Sequence, residues 1–325
     1  MALSRSSRSL LCLFLILGLA ALGFWWWDRT PGAIPEEEPW DGPDVRSVSL
    51  TAVSNASGLE LVTREGTLLV ATVDEVDEWT VPNRQPPPLI TFSSIEDGQP
   101  AGGQGKVASH GEVEALALRE DRLVFPFKTG IQTVVIQDGD ETLVLVDDAV
   151  IARLRDAVRG LVSGPTFFEF EGLAWRSDGW ELLCAVVRPD ARDTPASTMA
   201  VLRVGFDENG AFRQLSPPIE ESDGELYTDY AAGLDVVGDW AVIPGFFRSR
   251  VVLVDWQGQI RSELRLPRFV DRVEGIRWAA DRNELFLVRE CVGDVGSCRD
   301  GVHFGVPLWI VSLPEGLVDG LRAVP

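Results

Sequence analysis

From residue 45 onward, short apolar runs alternate with clusters of glycine, aspartate, asparagine and proline. In FEFEGLAWRSDGWELL, residues 168–183, one apolar run breaks at Ser177–Gly179 and a second run follows at once. Such runs with turn residues between them predict antiparallel strands joined as hairpins. A short motif opens five of these hairpins, at Ser57-Gly58-Leu59, Glu114-Ala115-Leu116, Glu171-Gly172-Leu173, Ala232-Gly233-Leu234 and Glu274-Gly275-Ile276.

The motif returns at intervals of 57, 57, 61 and 42 residues. Each copy precedes a polar turn and a second apolar strand, and further strands are readable in TMAVLRVGF, SRVVLVDW, PLWIVSL and QIRSELRLP. Four strands per repeat at this period are the sequence signature of a propeller blade. The sequence therefore predicts an all-β propeller of five four-stranded blades with room for a sixth. The strand near Val45 is expected to close the ring by pairing with the last blade.

One segment, Asp147–Val162, departs from the strand pattern. Its apolar residues share one helical face after an aspartate cap, at Val150, Ile151, Leu154, Val158 and Leu161. It predicts a helix laid over the disc as a packing insert between blades.

The N-terminus carries a targeting signal. Arg5 and Arg8 precede an uninterrupted apolar run from Leu10 to Trp27, which is just long enough to span a bilayer. A cleaved signal peptide is the alternative, but the three tryptophans at the far end favour an uncleaved anchor, because indole rings settle at headgroup depth. We therefore predict a signal-anchor or signal peptide over 1–27, a proline- and acid-rich linker over 28–43 and a propeller domain over 44–325. The bulk of the chain is then periplasmic or extracellular, and it is secreted if the signal is cleaved.

Charge and cysteine content narrow the partners. Acids outnumber bases 50 to 29, and the net charge of -21 argues against nucleic acid as a partner. Cys291 and Cys298 flank a short loop and are expected to form a disulfide in an oxidising compartment. Cys184, inside an apolar run, is expected to be a buried hydrophobe. We expect a monomeric propeller whose partners are the membrane, through the N-terminal helix, and a small-molecule ligand or envelope protein.

The hairpin motifs resemble those of the Glu-Gly-Leu propellers, a group that includes esterase-like phytase domains and SdiA-regulated periplasmic proteins. The resemblance rests on SGLELVTREGTLLVATVDE, FEFEGLAWRSDGWELLCAVVRPD and VEGIRWAADRNELFLVRE, and as architecture it covers about residues 45 to 315. It implies an extracytoplasmic propeller. It implies no single activity, since the group is functionally mixed.

The glutamates of the motif are the candidate site. Residues just before the innermost strand of a blade lie near the propeller axis on one face, so Glu114, Glu171 and Glu274 are expected to converge there. Glu112 and Glu169 lie two residues earlier and are expected to point the same way. Several carboxylates around one opening suit a ligand site or a hard cation, calcium or magnesium.

An ion-pair interpretation competes with the metal site. Bases end the second strand of those blades whose motif carries glutamate, at Lys128, Arg188 and Arg289. Pairs inside each blade would stabilise the hairpins. The bases could also take part in binding an anionic ligand.

Catalysis has weaker support from the sequence. His110 lies just before a blade and is a candidate base near Glu112 and Glu114, but exposed loop histidines are common. His303 is equally well explained by packing, and neither G-x-S-x-G nor H-E-x-x-H occurs. The leading hypothesis is a membrane-tethered propeller that binds a ligand or partner at its channel face. The alternatives are a calcium-assisted esterase or phosphoesterase of phytase type, with Glu114 and Glu171 in catalytic roles, and a structural scaffold of an envelope complex.

Overall fold

A computed structural model describes residues 42–53, 56–74, 89–102, 105–106, 113, 115–129, 133–188, 197–289 and 306–313. Within these residues, 20 strands form five antiparallel sheets of four strands each. Each sheet is one blade of a propeller. The predicted fold class and the five visible blades are confirmed, and the described residues form no sixth sheet.

The blades follow one another along the chain, and their strands run from the axis outward. Blade one contains β2 (Ala56–Arg64), β3 (Thr67–Asp74), β4 (Leu89–Ser94) and β5 (Gly105–Lys106). Blade two contains β6 (Ala117–Arg119), β7 (Arg122–Thr129), β8 (Thr133–Asp138) and β9 (Glu141–Val146). Blade three contains β10 (Phe167–Arg176), β11 (Gly179–Val187), β12 (Thr198–Asp207) and β13 (Phe212–Leu215). Blade four contains β14 (Asp235–Val237), β15 (Trp240–Pro244), β16 (Arg250–Val254) and β17 (Ile260–Arg265).

Blade five joins the two ends of the described chain. It contains β18 (Val273–Ala279), β19 (Glu284–Arg289), β20 (Val306–Ser312) and, as its outermost strand, β1 (Val45–Leu50). β1 pairs antiparallel with β20, from Val45 opposite Val311 to Leu50 opposite Val306. The inner strands then contact each other around a complete ring. β18 closes the ring, because it contacts β14 on one side and β2 on the other. The predicted closure by the strand near Val45 is therefore confirmed.

Burial explains why the strands read as continuous apolar runs. All nine residues of β11 are buried, as are the first nine of β12. A blade in a propeller is covered by neighbours on both faces, so alternation of apolar and polar residues is lost in its middle strands. Cys184 lies in this core, fully buried, as predicted.

The predicted helix forms but is shorter than expected. α1 (Asp148–Ala157) is capped by Asp147, whose carboxylate accepts a hydrogen bond from the Val150 N–H at 2.9 Å. Val150, Ile151, Leu154 and Val158 are buried against blades two and three. Leu161 is 53% exposed, so its assignment to the buried face was wrong. The chain leaves the helix at Val158 and turns at Gly160, which has φ of 82°.

The predicted N-terminal anchor lies outside the described residues, as does the predicted linker except for residues 42 and 43. None of the helices in the described part of the chain has the length and apolar character needed to cross a membrane.

Candidate functional site

In blades one, three and five, the residue that precedes the motif glycine is an extra residue in its strand. The pairing register shifts between Ala56 and Gly58, between Phe170 and Gly172, and between Val273 and Gly275. The bulged residues are therefore Ser57, Glu171 and Glu274. A β-bulge turns a side chain out of the regular ladder and bends the strand, which frees these side chains to reach a neighbouring blade.

Two of the bulged side chains reach the segment that leads into the next blade. The Ser57 hydroxyl donates to the Val113 carbonyl at 2.6 Å. The Glu171 carboxylate accepts from the Tyr230 hydroxyl at 2.8 Å. These contacts connect blade one to blade two and blade three to blade four. The motif therefore has a structural role, because it links adjacent blades.

The glycine of the motif permits close approach between inner strands. A Cβ at Gly172 would lie 2.6 Å from Leu234 Cβ, and one at Gly275 would lie 2.6 Å from Leu59 Cβ. One at Gly58 would lie 2.8 Å from the Leu116 amide nitrogen. These distances are too short for any side chain, so glycine is required by packing at the axis.

The axis of the propeller is closed at the level of the motif. The apolar residues that follow each glycine or alanine are all buried there: Leu59, Leu116, Leu173, Leu234 and Ile276. The guanidinium of Arg277 lies among them and donates to the carbonyls of Leu234 at 2.7 Å, Ile276 at 3.1 Å, Leu173 at 3.4 Å and Leu116. Among the described residues, the cavity beside this guanidinium has a volume of about 10 Å³, which is the size of a single water site.

Arg277 is neutralised by carboxylates from two other blades. Its Nε lies 2.7 Å from Glu60 Oε2, and its Nη1 lies 3.6 Å from Asp235 Oδ1. Burial raises the pKa of Glu60, although the charge of Arg277 acts in the opposite direction. The axis therefore holds an internal charge cluster that spans blades one, four and five.

On the face where the inner strands begin, two of the predicted carboxylates come together. Tyr230 OH lies 2.8 Å from Glu171 Oε1 and 3.1 Å from Glu169 Oε2. Glu171 is buried, whereas Glu169 and Tyr230 are half-buried. Both carboxylates therefore point towards the same hydroxyl. We call this face of the disc the motif face.

Asp229, next to Tyr230, is a further acidic group that the sequence did not single out. Its Oδ1 accepts from the Phe247 N–H at 3.0 Å, and its Oδ2 has no hydrogen-bond partner among the described residues. Burial raises the pKa of Asp229 to about 6, against the lowering effect of the Phe247 hydrogen bond. A carboxyl group with such a pKa can hold or release a proton near neutral pH.

The other predicted site residues are placed as follows. Glu274 is half-buried at its bulge in blade five, and Arg188 is exposed at the end of β11. Arg289 lies 3.5 Å from Asp271. The described contact of Glu171 is with Tyr230 rather than with Arg188, and Arg188 forms no ion pair with the described carboxylates. Outside the described part fall His110, Glu112, Glu114, Cys291, Cys298 and the side chain of Lys128.

The predicted calcium site stays a prediction. Among the described residues, no three His, Cys, Asp or Glu side chains are grouped so that they could hold a metal ion. Glu114 was one of the three expected ligands, and it is not among those residues.

Comparison with known proteins finds only distant structural likenesses. No family model matches the chain, and no curated protein matches it either. Similar solved structures include a glutaminyl cyclase of Myxococcus xanthus, with 14% identity over 82% of this chain and 93% of that one and a TM-score of 0.48. Another is the PQQ-bound aldose sugar dehydrogenase of Streptomyces coelicolor, with 13% identity over 83% and 99% and a TM-score of 0.42. At these values the likenesses carry no argument about chemistry, and the blade assignment rests on the strand pairing of this chain.

Proposed function

We propose that this protein is a membrane-tethered, extracytoplasmic propeller that binds a cationic ligand on its motif face, beside Tyr230. The observation that carries the proposal is the meeting of Glu169 and Glu171 at one phenol hydroxyl. Two carboxylates within hydrogen-bonding distance of one hydroxyl place acidic groups side by side on this face, and a cation has the complementary charge.

Closure of the axis supports a site on the face rather than inside the channel. Arg277 fills the centre of the disc and leaves about 10 Å³ free, so a ligand has no room at that level. The motif-face carboxylates lie at the start of the inner strands, outside this plug. The net charge of -21 would draw a cation towards the protein from solution.

The tether is proposed from the sequence. The apolar run from Leu10 to Trp27 follows two arginines, and residues 28–43 supply an extended linker to the domain at 44–325. In this arrangement the positive residues stay inside and the propeller is exported.

Calcium is the first cation to test, with the full chain in detergent. We expect calcium at one hundred times its Kd to raise the melting temperature by about 5–10 °C, and chelator to reverse the rise. Glu171→Gln and Glu169→Gln should abolish the calcium response. Glu284→Gln, on the opposite face beside Arg282, is the matched control and should retain it. If calcium and other cations leave the melting temperature of wild type unchanged, and Glu171→Gln melts at a lower temperature, then Glu171 stabilises the fold and binds no cation.

A phosphoesterase or carboxylesterase is the second candidate. Asp229 favours it, because a carboxyl group with a pKa of about 6 on the segment that also carries Tyr230 can serve as a general acid or base. Turnover of p-nitrophenyl phosphate or p-nitrophenyl acetate that needs calcium and disappears in Glu114→Gln, Glu171→Gln and Asp229→Asn would establish it. Calcium binding without turnover would leave the binding function alone.

A further inference from the structure

A second concave site lies between blades three and four, at the other end of the strands. The groove has a volume of about 970 Å³, at the upper end of the range of about 300–1,000 Å³ for ligand pockets. β10 runs from Glu171 on the motif face to Arg176 at the edge of the groove, a distance of roughly 15 Å along the strand. The groove is thus separate from the motif-face carboxylates.

The walls of the groove are fixed by a buried ion pair. Arg203 is fully buried and donates to Glu181 at 2.6 and 3.2 Å. The same guanidinium donates across the blade boundary to the carbonyls of Val254 at 2.7 Å and Asp239 at 3.1 Å. A site whose walls are already held in place loses little entropy when a ligand enters.

Aromatic rings line the blade-four side. Trp240 and Trp256 are both half-buried there. The Arg203 guanidinium covers the Trp256 ring at 4.0 Å, and a Cβ at Gly205 would lie 3.1 Å from Trp256 Cη2. Glycine at this position therefore leaves room for the indole. Half-buried indoles offer a flat apolar surface together with a polar N–H.

Two indole N–H groups of the groove have no acceptor among the described residues. Trp180 is 1% exposed and lines the groove, and neither its Nε1 nor that of Trp256 has a hydrogen-bond partner among the described residues. Buried polar groups are normally paired, so such donors favour an incoming hydroxyl oxygen.

The charges of the groove cancel in pairs. Arg176 lies 2.7 Å from Asp239, Arg261 lies 2.6 Å from Asp255, and Arg213 is paired with Asp178. An anion would compete with the aspartates for each arginine, and a cation would compete with the arginines for each aspartate. A neutral polyhydroxyl compound competes with neither, because its hydroxyls can donate to the carboxylates and accept from the guanidinium groups.

We propose that this groove binds a neutral oligosaccharide. The apolar faces of the sugar rings would lie on Trp240 and Trp256, and the ring hydroxyls would bond to the flanking aspartate and arginine pairs. The volume accommodates more than one sugar ring, which is why the ligand is an oligosaccharide rather than a single sugar.

A glycan array probed with the full chain, followed by calorimetry on the strongest glycan, tests this proposal. The protein is held in lauryldimethylamine oxide, because a glycoside detergent would itself compete. We expect binding to neutral glycans and not to sialylated or sulfated ones. Trp240→Ala should raise the Kd about tenfold or more, since aromatic anchors contribute most of the binding energy at such sites. Phe269→Ala, an exposed aromatic outside the groove, should leave the Kd unchanged.

Arg213→Gln is a second test variant, which is needed because Trp240→Ala could lose binding through a folding defect. The ion pair of Arg213 with Asp178 is largely exposed, so its loss should hardly change the melting temperature. The same variant should raise the Kd for the neutral glycan several-fold. Glu171→Gln should leave glycan binding intact, which separates this site from the one on the motif face. An array without neutral binders, a preference for acidic glycans, or equal affinity of Trp240→Ala and wild type would overturn the proposal.

Discussion

Arg277→Met tests whether the charge cluster on the axis holds the ring of blades together. The residue is 6% exposed, and its guanidinium donates to Glu60 and to carbonyls from blades two to five. Methionine has a similar length and fills much of the volume, so the change removes charge and hydrogen bonds more than packing. It leaves Glu60 and Asp235 buried without their counter-ion.

The expected loss follows from that imbalance. Removing one member of a buried ion pair costs about 3–5 kcal/mol, because the remaining charge stays desolvated. For a domain of this size the melting temperature should fall by about 10 °C. Neutralising the abandoned acids in Arg277→Met/Glu60→Gln/Asp235→Asn should restore about half of the loss, since a neutral cluster carries no unpaired charge.

The assay is thermal unfolding of the full chain at pH 5 and pH 8. Burial already raises the pKa of Glu60 and of Asp235, and losing Arg277 should raise both further. An acid with a raised pKa in the folded state favours folding at low pH and disfavours it as pH rises through the folded pKa. The single variant should therefore be closer to wild type at pH 5 than at pH 8. A melting temperature within about 2 °C of wild type at pH 8 would refute the axial role of the cluster.

Three further changes probe the motif face and the inner strands. The folded Asp229 carboxyl, with its pKa of about 6, holds its proton more tightly than the unfolded one, so the free energy of unfolding of wild type should fall by about 3 kcal/mol as pH rises from about 4 to about 6. Asp229→Asn should abolish this fall, and urea unfolding across that pH range measures it. Gly172→Ala should lower the melting temperature more than Gly66→Ala does. A Cβ at Gly172 would lie 2.6 Å from Leu234 Cβ, whereas a Cβ at Gly66 would meet nothing within 4 Å and would cost only the strain of its φ of 78°. Ser57→Ala should cost about 1 kcal/mol in urea unfolding by leaving the Val113 carbonyl unpaired, and an unchanged midpoint would contradict the contact.

The blade architecture was predictable because it depends on local pattern repeated several times. Two apolar runs with a polar turn between them predict each hairpin, and the motif marks where each inner strand begins. Ring closure by β1 followed from a strand left over at the start of the domain. The helix was predicted at its aspartate cap, but its end was not, because its final turns depend on packing against blades two and three.

The partners of the site residues were not predictable in the same way. Glu171 meets Tyr230, which is 59 residues away, and Arg277 meets Glu60, which is 217 residues away. Both contacts cross blade boundaries, whereas the sequence argument paired each glutamate with a base of its own blade. The relative rotation of adjacent blades decides such contacts, and strand patterns carry no information about it.

A signal for the axial cluster was nevertheless present in the sequence. The position after the axial apolar residue carries Glu60 in blade one, Asp235 in blade four and Arg277 in blade five, with alanine at Ala117 and Ala174. Equivalent positions in a ring of blades face the same axis, so two acids and one base there indicate an internal ion cluster. Alignment of the five repeats by the motif glycine would have found it.

The same feature that closes the propeller also restricts where its ligands can bind. Glycine brings the inner strands together, the five apolar residues and Arg277 fill the space that results, and the central channel is lost as a binding cavity. What remains is the surface of the motif face and the gaps between blades. Within the described residues, blades three and four supply Glu169, Glu171 and Tyr230 on one face and the tryptophan-lined groove on the other. Among the described residues, chemistry is therefore concentrated at one blade boundary, although the fold repeats five times.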